Sequence, residues 1–186
     1  YSKYPIVRSQ RVRYPQSDDF SLACWVALPD DTVLIVNNHF VTTGLTDAQR
    51  KDFKSMLKGN LQTKEMPSLG KSLVHKLGEF AQLRAPQVEA VAQFVHQHKG
   101  ESMILCGDFN DSPISYARYR MAKELNDCYI ASGNGPGISY HRNGFYVRID
   151  NIMCSDHWQP IKCVVENKVK ISDHYPIFCT LQKLHK

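Results

Sequence analysis

No stretch of this 186-residue sequence approaches the roughly 18 consecutive apolar residues of a membrane-crossing helix, so no helical span is expected within it. Its six cysteines, Cys24, Cys106, Cys128, Cys154, Cys163 and Cys179, form no CxxC pair and no Cys/His spacing of the zinc-site kind. They fall mostly inside apolar strand-like runs, which fits buried free thiols; the even count keeps disulfides open, but connectivity is not legible in a sequence. Internal repeats and low-complexity tracts are also missing, which removes solenoids and fibrous assemblies. The basic residues lack clustering: 23 Lys and Arg against 18 Asp and Glu give a net charge of +5, yet they are scattered rather than gathered in one tract. That balance favours anionic partners without the strong electrostatic footprint of a tight duplex binder.

What is present is the composition of one globular domain, 42% hydrophobic and 22% charged. Ile6 to Tyr14, Ser21 to Leu28 and Val33 to His39 read as strands, the last two joined by turn chemistry at Pro29-Asp30-Asp31-Thr32. Thr46 or Asp47 can cap a helix to about Lys58, and Gly59 to Gly70 reads as a loop. Between Lys71 and Lys99 apolar residues recur at helical spacing, with Pro86 predicting a kink or a break between two helices. A strand from Glu101 to Cys106, a helix near Ser115 to Leu125, and strands near Phe145 to Cys154, Ile161 to Glu166 and Ile177 to Leu181 follow.

Three polar motifs interrupt these apolar runs: Gly107-Asp108-Phe109-Asn110, Arg148-Ile149-Asp150-Asn151 and Ser172-Asp173-His174. Half-burying carboxylates, an amide and an imidazole costs several kcal/mol unless they pair or bind a cation, so three such clusters on three strands point to one shared centre. Asp108 and Asn110, two residues apart, share a side if the strand persists, offering a carboxylate and an amide to one ligand; Gly-Asp-x-Asn is also plain turn chemistry. Asp150 can orient a histidine base, while Arg148 and Asp150 can equally form a buried ion pair. The neighbours Asp173 and His174 point apart on extended backbone, one free to face a metal and the other to face Asp150 or a water. His39 ends its strand at the same sheet edge, and Tyr140, Arg142 and Arg148 belong to a segment interleaving aromatic and basic residues that can clamp a phosphate or stack a base, or form an ordinary hairpin loop.

Strand-His39, strand-GDFN, strand-RIDN and then SDH-Tyr-Pro-Ile, in that order, resemble the endonuclease/exonuclease/phosphatase superfamily, and Ser2-Lys3-Tyr4-Pro5-Ile6, Arg84 and Gln87 extend the likeness over essentially the whole chain. The resemblance implies an α/β fold, a four-layer αββα sandwich of two packed mixed sheets flanked by helices. It implies a metal-dependent phosphoester hydrolase, of the phosphodiesterase or nuclease kind, in which His174 activates water and Asp150 holds His174. Asp108 and Asn110 would lie beside the scissile phosphate and metal, Asp173 near the metal, and His39 on the phosphate. Mg²⁺ or Mn²⁺ is the implied cofactor and a phosphate ester, with nucleic acid among the candidates, the implied partner. A phosphatase or sphingomyelinase-like enzyme on a small or lipid-linked phosphate would use the same residues and differ in its loops, and a non-catalytic binding module is the third reading.

The chain opens on Tyr1 and enters a strand pattern at once, which reads as an N-terminally truncated domain. In the resembled family a metal-binding Asn and Glu precede the SKYPI strand, and no Glu here has that context. The expectation is therefore weak metal binding, little turnover by this chain alone, and exposed sheet edges that favour oligomers.

Overall fold

The computed structural model describes residues 1–44, 46, 48, 49, 51, 66–142 and 145–184, with the backbone alone at 66–70, 73 and 74. The expected helix from Thr46 or Asp47 to Lys58 lies for the most part outside these residues. Three antiparallel strands open the chain, β1 (Ile6–Arg13), β2 (Phe20–Leu28) and β3 (Asp31–His39), with a two-residue turn at Pro29 and Asp30 between the last two. Helix α1 (Met66–Gln97) then carries the chain to β4 (Met103–Asp108), which pairs with β3 in parallel. After α2 (Tyr116–Met121), β5 (Asn126–Asp127) and α3 (Cys128–Ser132), the strand β6 (Asp150–Cys154) pairs antiparallel with β4. The result is a mixed six-stranded sheet in the order β1-β2-β3-β4-β6-β5, beside a second sheet of β7 (Trp158–Val165) and β8 (Ile177–Lys183).

Alternation along the strands decides which side faces what. Ala23, Trp25, Leu34, Val36, Met103, Leu105 and Met153 point to one side of the large sheet and pack with Val88, Val91, Ala92 and Val95 of α1 and Ala117 and Met121 of α2. Val33, Ile35, Ile104, Ile152 and Cys154 point to the other side and meet Cys163, Val165, Ile177, Cys179 and Leu181 of the small sheet, with Cys128 and Tyr129 of α3 closing that core. Helices on one side of the large sheet, the small sheet on its other side and a polar seam at their ends make up an α/β sandwich, the fold class expected from the sequence.

Two local expectations are corrected. Helix α1 begins at Met66, so Met66 to Gly70 is helical rather than loop, and it runs through Pro86 without a break. Pro86 removes the hydrogen bond to the Gln82 carbonyl, but both residues are exposed, so water can take that bond while the opposite side stays packed on the sheet. The elements β5 and α3 were not foreseen; α3 exists because the Asp127 carboxylate caps it, accepting the N–H of Tyr129 and of Ile130 at 3.0 Å each.

Candidate active site

Strand register brings the three motifs to one edge. His39, Asp108 and Asp150 are the last, last and first residues of adjacent strands, paired His39 with Asp108 and Asp108 with Asp150. Gly107 makes this possible: its φ of +137° suits glycine, and a Cβ there would stand 1.9 Å from the Asn38 carbonyl oxygen. The small sheet delivers the third motif on the connection between β7 and β8, where His174 bridges to Tyr140.

The His174 Nδ1 N–H donates to Asp150 Oδ2 at 2.9 Å, and the Tyr140 ring meets the imidazole edge-on with centroids 5.0 Å apart. Asp150 is itself fixed from behind, because the Ser139 hydroxyl accepts the backbone N–H of Ile149 and of Asp150, each at 3.1 Å. The hydrogen bond to Asp150 raises the His174 pKa above the ordinary imidazole range, against partial burial. Asp108 is raised as well, first by burial and then by the nearby charge of Asp150. His39, with a side chain 76% exposed, stands 3.9 Å from Asp108 Oδ2.

Asp108 and Asn110 do meet at the site, but not by strand alternation. The strand ends at Asp108, Asn110 turns into the left-handed region at φ 51°, and its N–H donates to Asp108 Oδ1 at 2.7 Å. Its amide also donates to the Phe40 carbonyl at 2.9 Å, tying the end of β3 to the end of β4. Two residues of α1 hold the same loops from outside: Gln87 Oε1 accepts the Val41 N–H at 2.8 Å, while Arg84 donates to the Val41 carbonyl at 3.2 Å and to Asp111 at 2.6 Å.

His39, Asp108, Asn110, Tyr140, Arg142, Asp173 and His174 line one cleft of about 210 Å³, with Thr42, Thr43, Phe145 and Ile149. Arg142 and Asp173 sit on its rim, 3.6 Å apart. Arg148 is corrected: it is buried away from the cleft, within 3.5 Å of Asp127, donating to Asn151 at 3.2 Å and lying over the Tyr129 ring. It pairs with Asp127 rather than Asp150 because position 148 lies outside β6 and its side chain turns toward α3. Sequence reasoning missed Ser139 and Asp127, small polar residues whose only signal was their place next to a turn.

One oxygen each of Asp108 and Asp150 and one nitrogen of His174 lie within 4.8 Å of one another, close enough to hold one metal ion between them. Two carboxylates this close, one raised by burial and further by the other's charge, are relieved by a cation, and their oxygens suit a hard one.

A two-sheet α/β sandwich thus carries, at its sheet ends, a carboxylate-held histidine beside a second half-buried carboxylate. The chain belongs to the endonuclease/exonuclease/phosphatase family, whose model matches residues 1–174. Among solved structures it is similar to the human nocturnin catalytic domain with bound sulfate, at 15% identity and TM-score 0.63 over 97% of this chain and 60% of that one. A humanised D. rerio TDP2 is similar at 14% identity and TM-score 0.62, over 96% of this chain and 67% of that one. A family protein from Beutenbergia cavernae gives 17% identity and TM-score 0.65, over 98% and 46%. The chain thus spans about two thirds or less of the length of these three. None of the curated protein sequences compared matches it.

Proposed function

We propose that this chain carries the water-activating part of a phosphodiesterase of the nuclease kind. The observation that supports it is the His174–Asp150 hydrogen bond of 2.9 Å opening on a cleft that also holds Asp108, Asn110 and His39. With Nδ1 occupied by Asp150, His174 has Nε2 left to take a proton from water as the water attacks phosphorus, and Asp150 stabilises the resulting imidazolium. His39 and the Asn110 amide offer donors to phosphoryl oxygens, and Arg142 on the rim offers a cation to the same anion. The Asp108 carboxylate, with Asp150 and His174 close by and Asp173 at the rim, fits Mg²⁺ or Mn²⁺, which would offset charge on the phosphoryl oxygens when bound.

A diester rather than a monoester is favoured by the ground beside the cleft. An adjoining hollow of about 470 Å³ shares Thr43, Asn110, Phe145 and Ile149 with it and adds Leu77, Tyr146 and Val147. A substrate with a second organic arm on phosphorus has an apolar wall to lie against, and the exposed Tyr146 ring offers a stacking surface for a base. A D. rerio TDP2 structure holds a single-strand DNA product, which makes nucleic acid the first substrate to try. The test is hydrolysis of bis-p-nitrophenyl phosphate, p-nitrophenyl phosphate and single-stranded DNA with Mg²⁺ or Mn²⁺, by the chain and by His174→Ala. Cleavage of the diesters ahead of the monoester, abolished in the variant, is expected; preference for the monoester, or cleavage that survives the variant, overturns the reading.

A further inference from the structure

Four of the six cysteines, scattered in sequence, converge in the core between the two sheets: Cys128 from α3, Cys154 from β6, Cys163 from β7 and Cys179 from β8. Cys163 and Cys179 are direct partners in the antiparallel β7–β8 ladder, so both sulfurs project from one face of the small sheet. Directly opposed residues of such a ladder have Cα atoms about 4.5–5.5 Å apart, inside the range a disulfide spans. The thiols of Cys128, Cys154 and Cys179 donate to the carbonyls of Asn126, Trp158 and Thr180 at 3.9, 3.7 and 3.9 Å. Neighbouring thiols and burial push Cys128 and Cys163 up, while the neighbouring Cys128 and Cys163 pull Cys179 down.

This arrangement does not suit a bound metal. Among the described residues, the grouping of three or more ligand atoms around one point is Asp108, Asp150 and His174, not the sulfurs. It suits pairwise oxidation: Cys163 is fully buried, while Cys179 is part-exposed and is the thiol that a small disulfide meets first.

We propose that Cys163 and Cys179 form a cross-strand disulfide by exchange with a low-molecular-weight disulfide of the glutathione class that reacts first at Cys179. One thiolate of the pair attacks a sulfur of the small disulfide, breaking its S–S bond and releasing one small thiol. The second thiolate then displaces the other small thiol from the mixed disulfide, and the protein S–S bond forms. Two protein thiols are oxidised, one small disulfide is reduced to two thiols, and the two protons pass through solvent to the leaving thiolates. The bridge closes the connection that carries Asp173 and His174, so oxidation staples the base of the histidine-bearing loop. It leaves Cys128 and Cys154 as the thiols of the same core.

The reduced chain would be incubated with oxidised glutathione, its remaining thiols alkylated under denaturing conditions, and its peptides mapped without reduction, alongside thermal melts of both forms. A linked peptide pair joining Cys163 to Cys179, with a thermal midpoint several degrees above that of the reduced chain, is expected. The shift should vanish on adding dithiothreitol and be missing in Cys179→Ser. Glutathione adducts confined to the part-exposed Cys24 and Cys106, or a bridge joining Cys128 to Cys154 or Cys179 instead, overturns the proposal. The mapping needs no variant and no activity, so it stands whether or not the hydrolase reading does.

Discussion

His174 and Asp150, 24 residues apart, are joined by one hydrogen bond of 2.9 Å that links the small sheet to the large one at their shared edge. The loop residue is aimed by the strand residue, and the strand residue is held in turn by the Ser139 hydroxyl.

Removing the imidazole should remove the chemistry and leave the fold. His174→Ala is expected to lower diester hydrolysis by roughly 10²–10⁴-fold, the usual contribution of a positioned base. The circular dichroism spectrum should be unchanged, since the side chain is part-exposed and fills no core. Loss of less than tenfold would mean that another group takes the proton.

The pH profile should follow the same bond. Because Asp150 raises the His174 pKa, the neutral, proton-accepting form prevails only above the ordinary imidazole value of about 6.5, and activity should climb through a midpoint higher than that. In Asp150→Asn the midpoint should fall toward 6.5 as the rate drops. The stability sign is opposite: a raised folded pKa stabilises fully below about pH 6.5, and that contribution is lost as pH rises through the raised value. Wild-type thermal midpoints measured from pH 5 to 9 should therefore lose an increment over this window that Asp150→Asn never had.

Asp108→Asn separates ligand affinity from stability. A carboxylate raised by burial and a like charge costs stability when ionised at neutral pH, and Asn keeps the oxygen that accepts the Asn110 N–H. The thermal midpoint is expected to hold or rise by a few degrees while Mn²⁺ affinity, read by calorimetry, falls at least tenfold. A clear drop in midpoint would show that the carboxylate is stabilising where it stands.

Arg148→Met tests a structural role. Its guanidinium is 4% exposed and shares Asp127 with Arg118, which donates at 3.0 Å, so the substitution weakens a buried network that also caps α3. A loss of about 2–4 kcal/mol in denaturant unfolding is expected, with KM for the diester within twofold of wild type. A large change in KM without a stability loss would return Arg148 to the substrate.

Gly107→Ala should be the most damaging small substitution near the cleft. A methyl group 1.9 Å from the Asn38 carbonyl, on backbone at φ +137°, has no room and no comfortable conformation. About 3 kcal/mol or more should be lost, lowering the thermal midpoint by roughly 6–12 °C.

Strands and site motifs were legible because each rests on local chemistry. Apolar runs ending in Gly-Asp, Ile-Asp or preceding Tyr-Pro declare both a strand and a polar edge. The partnership of Arg148 was not legible, since its alternatives, Asp150 and Asp127, differ only in which way the chain turns after Ser132. Of the two outcomes Pro86 allowed, a kink or a break, the break did not follow, because its cost depends on whether the orphaned carbonyl faces water, a tertiary fact. The cysteine cluster had no sequence spacing to reveal it, being assembled by register between β7 and β8 and by the packing of α3.

The parallel pairing of β3 with β4 has a kinetic consequence. His39 and Asp108 become neighbours only when the chain between them has closed on itself, and His174 joins only when the small sheet docks. Contacts of such long sequence separation carry the chain-closure entropy of everything between them, so they form late. The cleft therefore cannot exist on a partly folded chain, and cation binding at Asp108 should return with the slowest refolding phase, making the site a reporter of complete assembly.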